Sequence, residues 1–240
     1  MLALALCVLH LYASPPASDG YLYRATLLQA APGKLLEVVD LYKSGWPGSK
    51  DSGDEPPWAM RHSQGDRWDL LLLFPMGNLS EYYARDRILR RERAAAAASA
   101  AWERLRDDTA WQEDVFVLGP PLSRLRERFA GAGLFHVEMF QALPGRRADL
   151  YRQREMENAY SKALDLPENL IFVREAGAAW DLFTIGAYRD LKHYAEGSSV
   201  AEERSEAAAK AAGFDGARFI GPYLRTLIAL HHDTLAVAVK

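Results

Sequence analysis

Apolar and polar positions along this chain change period several times, and the changes mark out elements. The run YLYRATLLQA, Tyr21–Ala30, is rich in β-formers and reads as a strand. Pro32-Gly33 follows, and Leu35, Leu36, Val39 and Tyr42 then make one apolar face at helical spacing. The polar stretch GWPGSKDSGDEPP reads as a surface loop. WAMRHS and RWDLLLLF, on either side of Gln64-Gly65-Asp66, predict a β-hairpin. Helical signals run over residues 79–106 and include an alanine-rich run, residues 94–101, whose propensity favours helix over flexible linker. EDVFV (113–117) closes the series as a strand, and residues 119–133 form a linker with one short helix.

The same series then recurs. YRATLLQAAPGKL resembles FHVEMFQALPGRR, pairing Gln29 with Gln141, Pro32 with Pro144 and Gly33 with Gly145, each 112 residues apart. GDRWDLLL matches GAAWDLFT in the same register, Trp68 with Trp180 and Asp69 with Asp181. The register breaks only near the end, where EDVFV answers DTLAV (233–237) at an offset of 120, so the second copy carries eight additional residues. Its own elements are a strand over residues 134–143, a polar helix over 146–164, a hairpin of 169–175 and 180–188, and helical stretches to 212. The surplus falls in residues 214–232, where Leu224, Leu227 and Ile228 predict an apolar stripe on a helix that His231 and His232 would end.

Strand, helix, strand, strand, helix, strand is the ferredoxin-like order, and two such units in one chain leave two uncovered sheet faces to pack together. The expected fold class is therefore α+β: two tandem ferredoxin-like (βαββαβ) repeats packed sheet to sheet as a pseudo-dimeric α/β barrel. The domains are an export leader and spacer at 1–20, a first repeat at 21–118, a linker at 119–133 and a second repeat at 134–240 with an extra segment at 214–232. On element order and internal repeat the chain resembles the dimeric α/β-barrel superfamily in its single-chain form. That resemblance implies haem-binding proteins, cofactor-free oxygenases of aromatic compounds, isomerases and binding proteins as relatives, and does not choose between them.

Composition narrows the partners. Twenty-nine basic against 32 acidic side chains give a net charge of −3, so no global field gathers nucleic acid. The apolar opening MLALALCVLHLYA, followed by SPPASDG, reads as an export signal too short to span a bilayer, and points to a periplasmic or secreted protein with no membrane span. Cys7, the single cysteine, lies inside that leader, so the mature chain holds no disulfide.

No phosphate loop, dinucleotide fingerprint, HExxH, CxxC pair or GxSxG elbow occurs. Histidine-bearing groups remain. RHSQGD places His62, Arg61 and Asp66 at a strand end, where an acid/base can be tuned or where Asp66 and Gly65 simply make the turn. LHHDT offers His231, His232 and Asp233, ligand-competent types that equally suit a helix end. Ferredoxin-like topology puts both groups at one rim, so His62, His231, His232 and Asp233 are the expected catalytic residues around a common pocket. A third group, His136 and Glu138, shares one face of a strand, opposite Asp181 on a neighbouring strand, and Arg24 and Asp69 are expected to pair at the corresponding place in the first copy. Arg61, Asp66, His136, Glu138 and Asp181 complete the expected ligand contacts. His193 reads as a surface helix residue. The resulting expectation is an exported protein that binds a small, partly apolar molecule, as a cofactor-independent oxygenase or isomerase-like enzyme or as a binding protein. A haem- or metal-dependent oxidoreductase is the first alternative and a non-catalytic interaction protein the second. No metal site and no cofactor are expected on the leading reading, and the chain is taken as a monomer with an internal pseudo-dimer, or as a homodimer.

Overall fold

The computed structural model describes residues 20–239; Cys7 and the segment read as an export leader lie outside them. Eight strands form one closed antiparallel barrel: β1 (Tyr21–Ala30), β2 (Trp58–Gln64), β3 (Leu70–Gly77), β4 (Thr109–Gly119), β5 (Leu134–Ala142), β6 (Leu170–Gly177), β7 (Leu182–Tyr188) and β8 (Ile228–Ala238). Around it the order is β1-β3-β2-β8-β5-β7-β6-β4. Each half therefore has the ferredoxin-like order, β4-β1-β3-β2 and β8-β5-β7-β6. The halves do not stack as two separate layers. Their edges join through β2–β8 and β4–β6, which leaves no unpaired sheet edge in the barrel.

The alternation of the strands divides the core in two. Inward residues such as Tyr23, Leu27, Met60, Trp68, Val115, Phe135, Val137, Met139, Phe172 and Phe183 fill the barrel. Outward residues pack beneath helices. Leu28, Leu70 and Leu72 meet Val38 and Val39 of α1 (Leu35–Lys43), and Phe140 and Leu182 meet Leu150 of α7 (Arg147–Ala163). The helices between them are α2 (Ser49–Ser52), α3 (Leu79–Tyr82), α4 (Arg85–Ala97), α5 (Ser99–Asp107) and α6 (Leu122–Phe129), followed later by α8 (Leu191–Ala195), α9 (Glu202–Ala211) and α10 (Ile220–Arg225). None of the described helices is long and apolar enough to cross a membrane.

Equivalent hydrogen bonds recur at the 112-residue offset. Asp69 accepts from the Ala30 N–H at 2.8 Å, and Asp181 accepts from Ala142 at 2.9 Å. The Asp69 and Asp181 N–H groups in turn donate to Leu28 and Phe140, both at 2.8 Å. At Gly65 (φ +122°) an added Cβ would stand 2.3 Å from the Asp233 carbonyl, and at Gly177 (φ +108°) 2.6 Å from that of Asp114. Only glycine fits either hairpin end.

Four expectations change. Ala25 lies opposite Val115 and Val137 opposite Thr234, so the last strands correspond at an offset of 119 and the surplus is seven residues. The helical stretch over 79–106 is three helices, α3, α4 and α5, which part at Tyr83–Ala84 and, within the alanine run, at Ala98 (φ −101°, ψ 18°). The helix expected over 214–232 stops at Arg225 and β8 begins at Ile228, which moves His231 and His232 from a helix end into a strand. Arg24 does not reach Asp69; its guanidinium lies 4.3 Å above the Phe74 ring and 4.0 Å from Asp114, because the β1–β3 register sets Arg24 across from Phe74 and Asp69 beyond Leu28.

Candidate functional site

Because β8 alternates, adjacent histidines end on opposite faces. His232 points inward at the barrel mouth and His231 outward beneath the helices, so LHHDT divides between two sites.

At the mouth His232 donates from Nδ1 to Asp66 at 2.7 Å, and the same carboxylate oxygen accepts from Trp68 Nε1 at 3.1 Å. The His232 ring stands edge-on to Trp180 at 4.8 Å, and Trp180 donates to Glu113. Asp66 of the first half and His232 of the second thus share one rim. His62, opposite Ala236, has its ring 5.8 Å from Trp68 and its Nε2 buried without a partner. Arg61 is exposed. Behind these residues the barrel interior is lined by buried apolar side chains.

The second site gathers more charge. His136, Glu138 and Phe140 are the outward residues of β5, and Thr184 of β7 with His231 and Asp233 of β8 stand beside them. Glu138 is 7% exposed and accepts from Thr184 Oγ1 at 2.6 Å and from Arg154 of α7 at 3.2 and 3.3 Å. Arg154 also pairs with Glu157 one turn on and lies over the Phe140 ring at 4.9 Å. The His231 ring stacks flat on Phe140 at 4.7 Å, with its Nε2 3.5 Å from Glu138. His136 donates to Asp233, whose carboxylate is 56% exposed, and its ring leans on Tyr194 of α8.

The electrostatics follow from this packing. Burial alone would raise the Glu138 pKa, but His231, Arg154, His136 and Thr184 outweigh it and hold the carboxyl well below the usual range. Burial likewise opposes a charged His136; the Asp233 bond and the charges of Glu138, Asp233 and Glu157 overcome it, and the imidazole pKa rises above 6.5. Glu157 moves upward, chiefly by burial against the pull of Arg154, and burial pushes Tyr188 up to about 12. The cluster thus holds a carboxylate fixed in its charged form, a histidine biased toward its charged form, and a carboxyl biased toward its neutral form. That separation is what proton transfer requires.

Asp181 stays outside this group. It is not opposite Glu138, which lies across from Thr184 and Asp233; it binds Arg174 at 2.5 Å and the Ala142 N–H. Sequence reasoning missed Arg154, Glu157 and Thr184. The helix that carries Arg154 and Glu157 reads as irregularly polar, and its only signal was an arginine and two glutamates within one turn; Thr184, on β7, carried none.

The described histidines differ in what they leave free to hold a cofactor. Cavities of about 440 and 190 Å³ border α4 and α5, and no histidine lines either. The His136 and His232 rings are held by Asp233 and Asp66, His231 stacks on Phe140, and His193 Nδ1 accepts from the Arg189 N–H at 3.2 Å, whereas His62 Nε2 and His231 Nε2 are buried without a hydrogen-bond partner. Glu138, His231 and Asp233 each present one ligand atom within 4.8 Å of the others, a donor set suited to a divalent cation.

No protein-family model matches the chain, and no curated protein matches it by sequence. Solved structures do. An anthrone oxidase-like protein is 10% identical, with 93% of each chain covered and a TM-score of 0.52. A putative monooxygenase from Lactobacillus acidophilus NCFM is 8% identical, with 92% of this chain and 95% of that one covered and a TM-score of 0.54. The likeness is one of fold. A heme-binding protein from Thermus thermophilus, 12% identical with 91% of each chain covered, matches at 0.42, too distant to bear on cofactors. The chain shares its ferredoxin-like α+β barrel architecture with the first two.

Proposed function

We propose that the chain binds a small, partly apolar molecule against the helix-covered face of its second half. It exchanges a proton with that molecule through His136 and Asp233, in the manner of a cofactor-independent oxygenase or isomerase. One observation carries this reading: a compensated Glu138–Arg154 pair lies beneath a histidine-carboxylate pair that reaches solvent. Apolar side chains of similar volume generally serve stability as well as a buried ion pair does. Six ionisable groups gathered at one place point to chemistry. His136, biased toward its charged form, is the proton donor, Asp233 orients it, and Glu138 with Arg154 fixes the field around it. The two solved structures of like fold, named for oxidase and monooxygenase activity, agree with this reading without carrying it.

Native mass spectrometry of freshly purified protein tests the proposal. A retained small molecule, identified and returned to the protein in D₂O, gains deuterium at one position with the native chain and not with His136→Asn. If nothing is retained and no exchange occurs, the protein is a non-catalytic interaction protein. A second reading, a cation at Glu138, His231 and Asp233, rests on their mutual proximity and is opposed by the Arg154 charge on Glu138. Elemental analysis after dialysis decides it.

Three further readings belong to the same proposal. The halves are copies of one module, supported by the bonds shared at the 112-residue offset. The chain is a monomer, supported by closure of both sheet edges within one chain. It is exported, supported by its apolar leader alone and tested by the N-terminal sequence of secreted material.

A further inference from the structure

The two halves cover their outward sheet faces differently. α7 has 17 residues, and its later turns bring Arg154 and Glu157 over Glu138. α1 has only nine, and beyond it the chain turns away, leaving the loop around α2 together with α4 and α5 to roof the sheet. That roof encloses about 190 Å³. Trp46 meets Phe74 edge to face at 5.4 Å and Trp102 at 5.7 Å, which gives the cavity aromatic walls. Arg24 enters from β1, and Arg91 enters from α4 with its guanidinium 3.8 Å above the Tyr82 ring.

Arg24 Nε, Arg91 Nη1 and Trp102 Nε1 are buried and have no acceptor. They are three of the seven such side-chain atoms among the described residues, and all three belong to the lining of this one cavity. The nearby carboxylates are already committed. Asp54 accepts from Arg87 at 2.7 Å and stands 3.5 Å from Arg91 without a hydrogen bond; Asp114 accepts from Thr26 at 2.5 Å and Gln112 at 3.1 Å; Glu55 is bonded to Arg126 at the surface. Thr26 stands where the second half has Glu138, so the buried carboxylate that balances a guanidinium there is missing here. Buried donors without acceptors destabilise a fold unless something supplies the acceptor.

We propose that this cavity binds a monocyclic aromatic carboxylate. Its two oxygens accept from Arg24, Arg91 and Trp102, and its ring packs against the aromatic wall that Trp46 and Phe74 form together. Sites for drug-sized ligands enclose roughly 300–1,000 Å³, so this one admits a single ring with a short acid arm. Planar guanidinium groups suit a carboxylate's paired oxygens. A bare phosphate would leave the aromatic walls uncovered.

Calorimetric and ligand-observed NMR titrations of the full chain with benzoate and phenylacetate test the site, with benzamide and inorganic phosphate for comparison. At least one acid binds saturably, and benzamide and phosphate bind at least about tenfold more weakly. Arg24→Gln weakens acid binding by about tenfold or more, and Trp102→Phe, which keeps the ring and removes only the N–H, weakens it several-fold with an unchanged circular dichroism spectrum. His136→Asn binds the acid as the native protein does, which separates this cavity from the second-half cluster. Failure of both acids to saturate, phosphate or benzamide binding equally well, native affinity in Arg24→Gln or Trp102→Phe, or loss of binding in His136→Asn each overturns the proposal.

Discussion

Arg154→Met tests whether the second-half cluster is held by mutual charge compensation. Both partners are nearly excluded from solvent, with Glu138 and Arg154 7% and 2% exposed. Removing the guanidinium leaves a buried carboxylate without its main countercharge, at an expected cost of about 3–5 kcal/mol at pH 7. The native pairing has an acid signature. Glu138 falls from an ordinary 4.5 to about 2, which at about 1.4 kcal/mol per pH unit is a contribution of about 3 kcal/mol. Because the folded pKa is depressed, that stability is fully present above about pH 4.5 and is lost as the pH falls toward 2. The variant retains less of it, so the gap between native and variant narrows over the same range. Urea unfolding followed by tryptophan fluorescence and by circular dichroism, at pH 7 and at steps below 4.5, reads both quantities, with an unchanged m-value as the check on two-state behaviour. Glu138→Leu combined with Arg154→Met recovers most of the loss, since an apolar pair of similar volume needs no compensation. A cost below about 1 kcal/mol that does not vary with pH, or a double variant no better than the single one, would falsify the reasoning.

The remaining expectations concern single contacts. Asp233→Asn removes two of the influences that raise His136, so its imidazole titrates at lower pH than in the native chain, as NMR of the ring protons reads; the stability linked to that pair is present below pH 6.5 and is lost as the pH rises through the native value. Gly65→Ala and Gly177→Ala each cost about 3 kcal/mol in urea unfolding, because the new Cβ meets a carbonyl of the adjoining strand at positive φ. Asp69→Ala and Asp181→Ala each leave a part-buried N–H without its acceptor and cost about 1–3 kcal/mol; Asp181→Ala costs more, because Arg174 loses its partner as well. Equal effects would mean that the Arg174 pair adds nothing.

Local pattern decided the elements. The β-rich runs Tyr21–Ala30 and Leu134–Ala142, the turn chemistry around Gly65 and Gly177, and the shared offset of Asp69 and Asp181 were legible because each depends on residues close together in the chain. His136 and Glu138 could be placed on one face for the same reason. What lies opposite them could not. Arg154 approaches Glu138 only because α7 crosses that sheet face, and Asp233 meets His136 only because β8 lies beside β5. Whether His231 and His232 act together depended on whether their segment was helix or strand, and pairing with β5, more than local propensity, made it strand. The cavity beneath α4 reflects the length of α1 relative to α7, a difference with no consequence until both helices lie on their sheets. Sequence alone thus determined the repeating βαββαβ grammar and the faces of each strand, since those interactions are local. The closed barrel, the partner of every buried charge and the space left unfilled were decided by tertiary structure, since each depends on groups distant in the chain arriving within a few ångströms of one another.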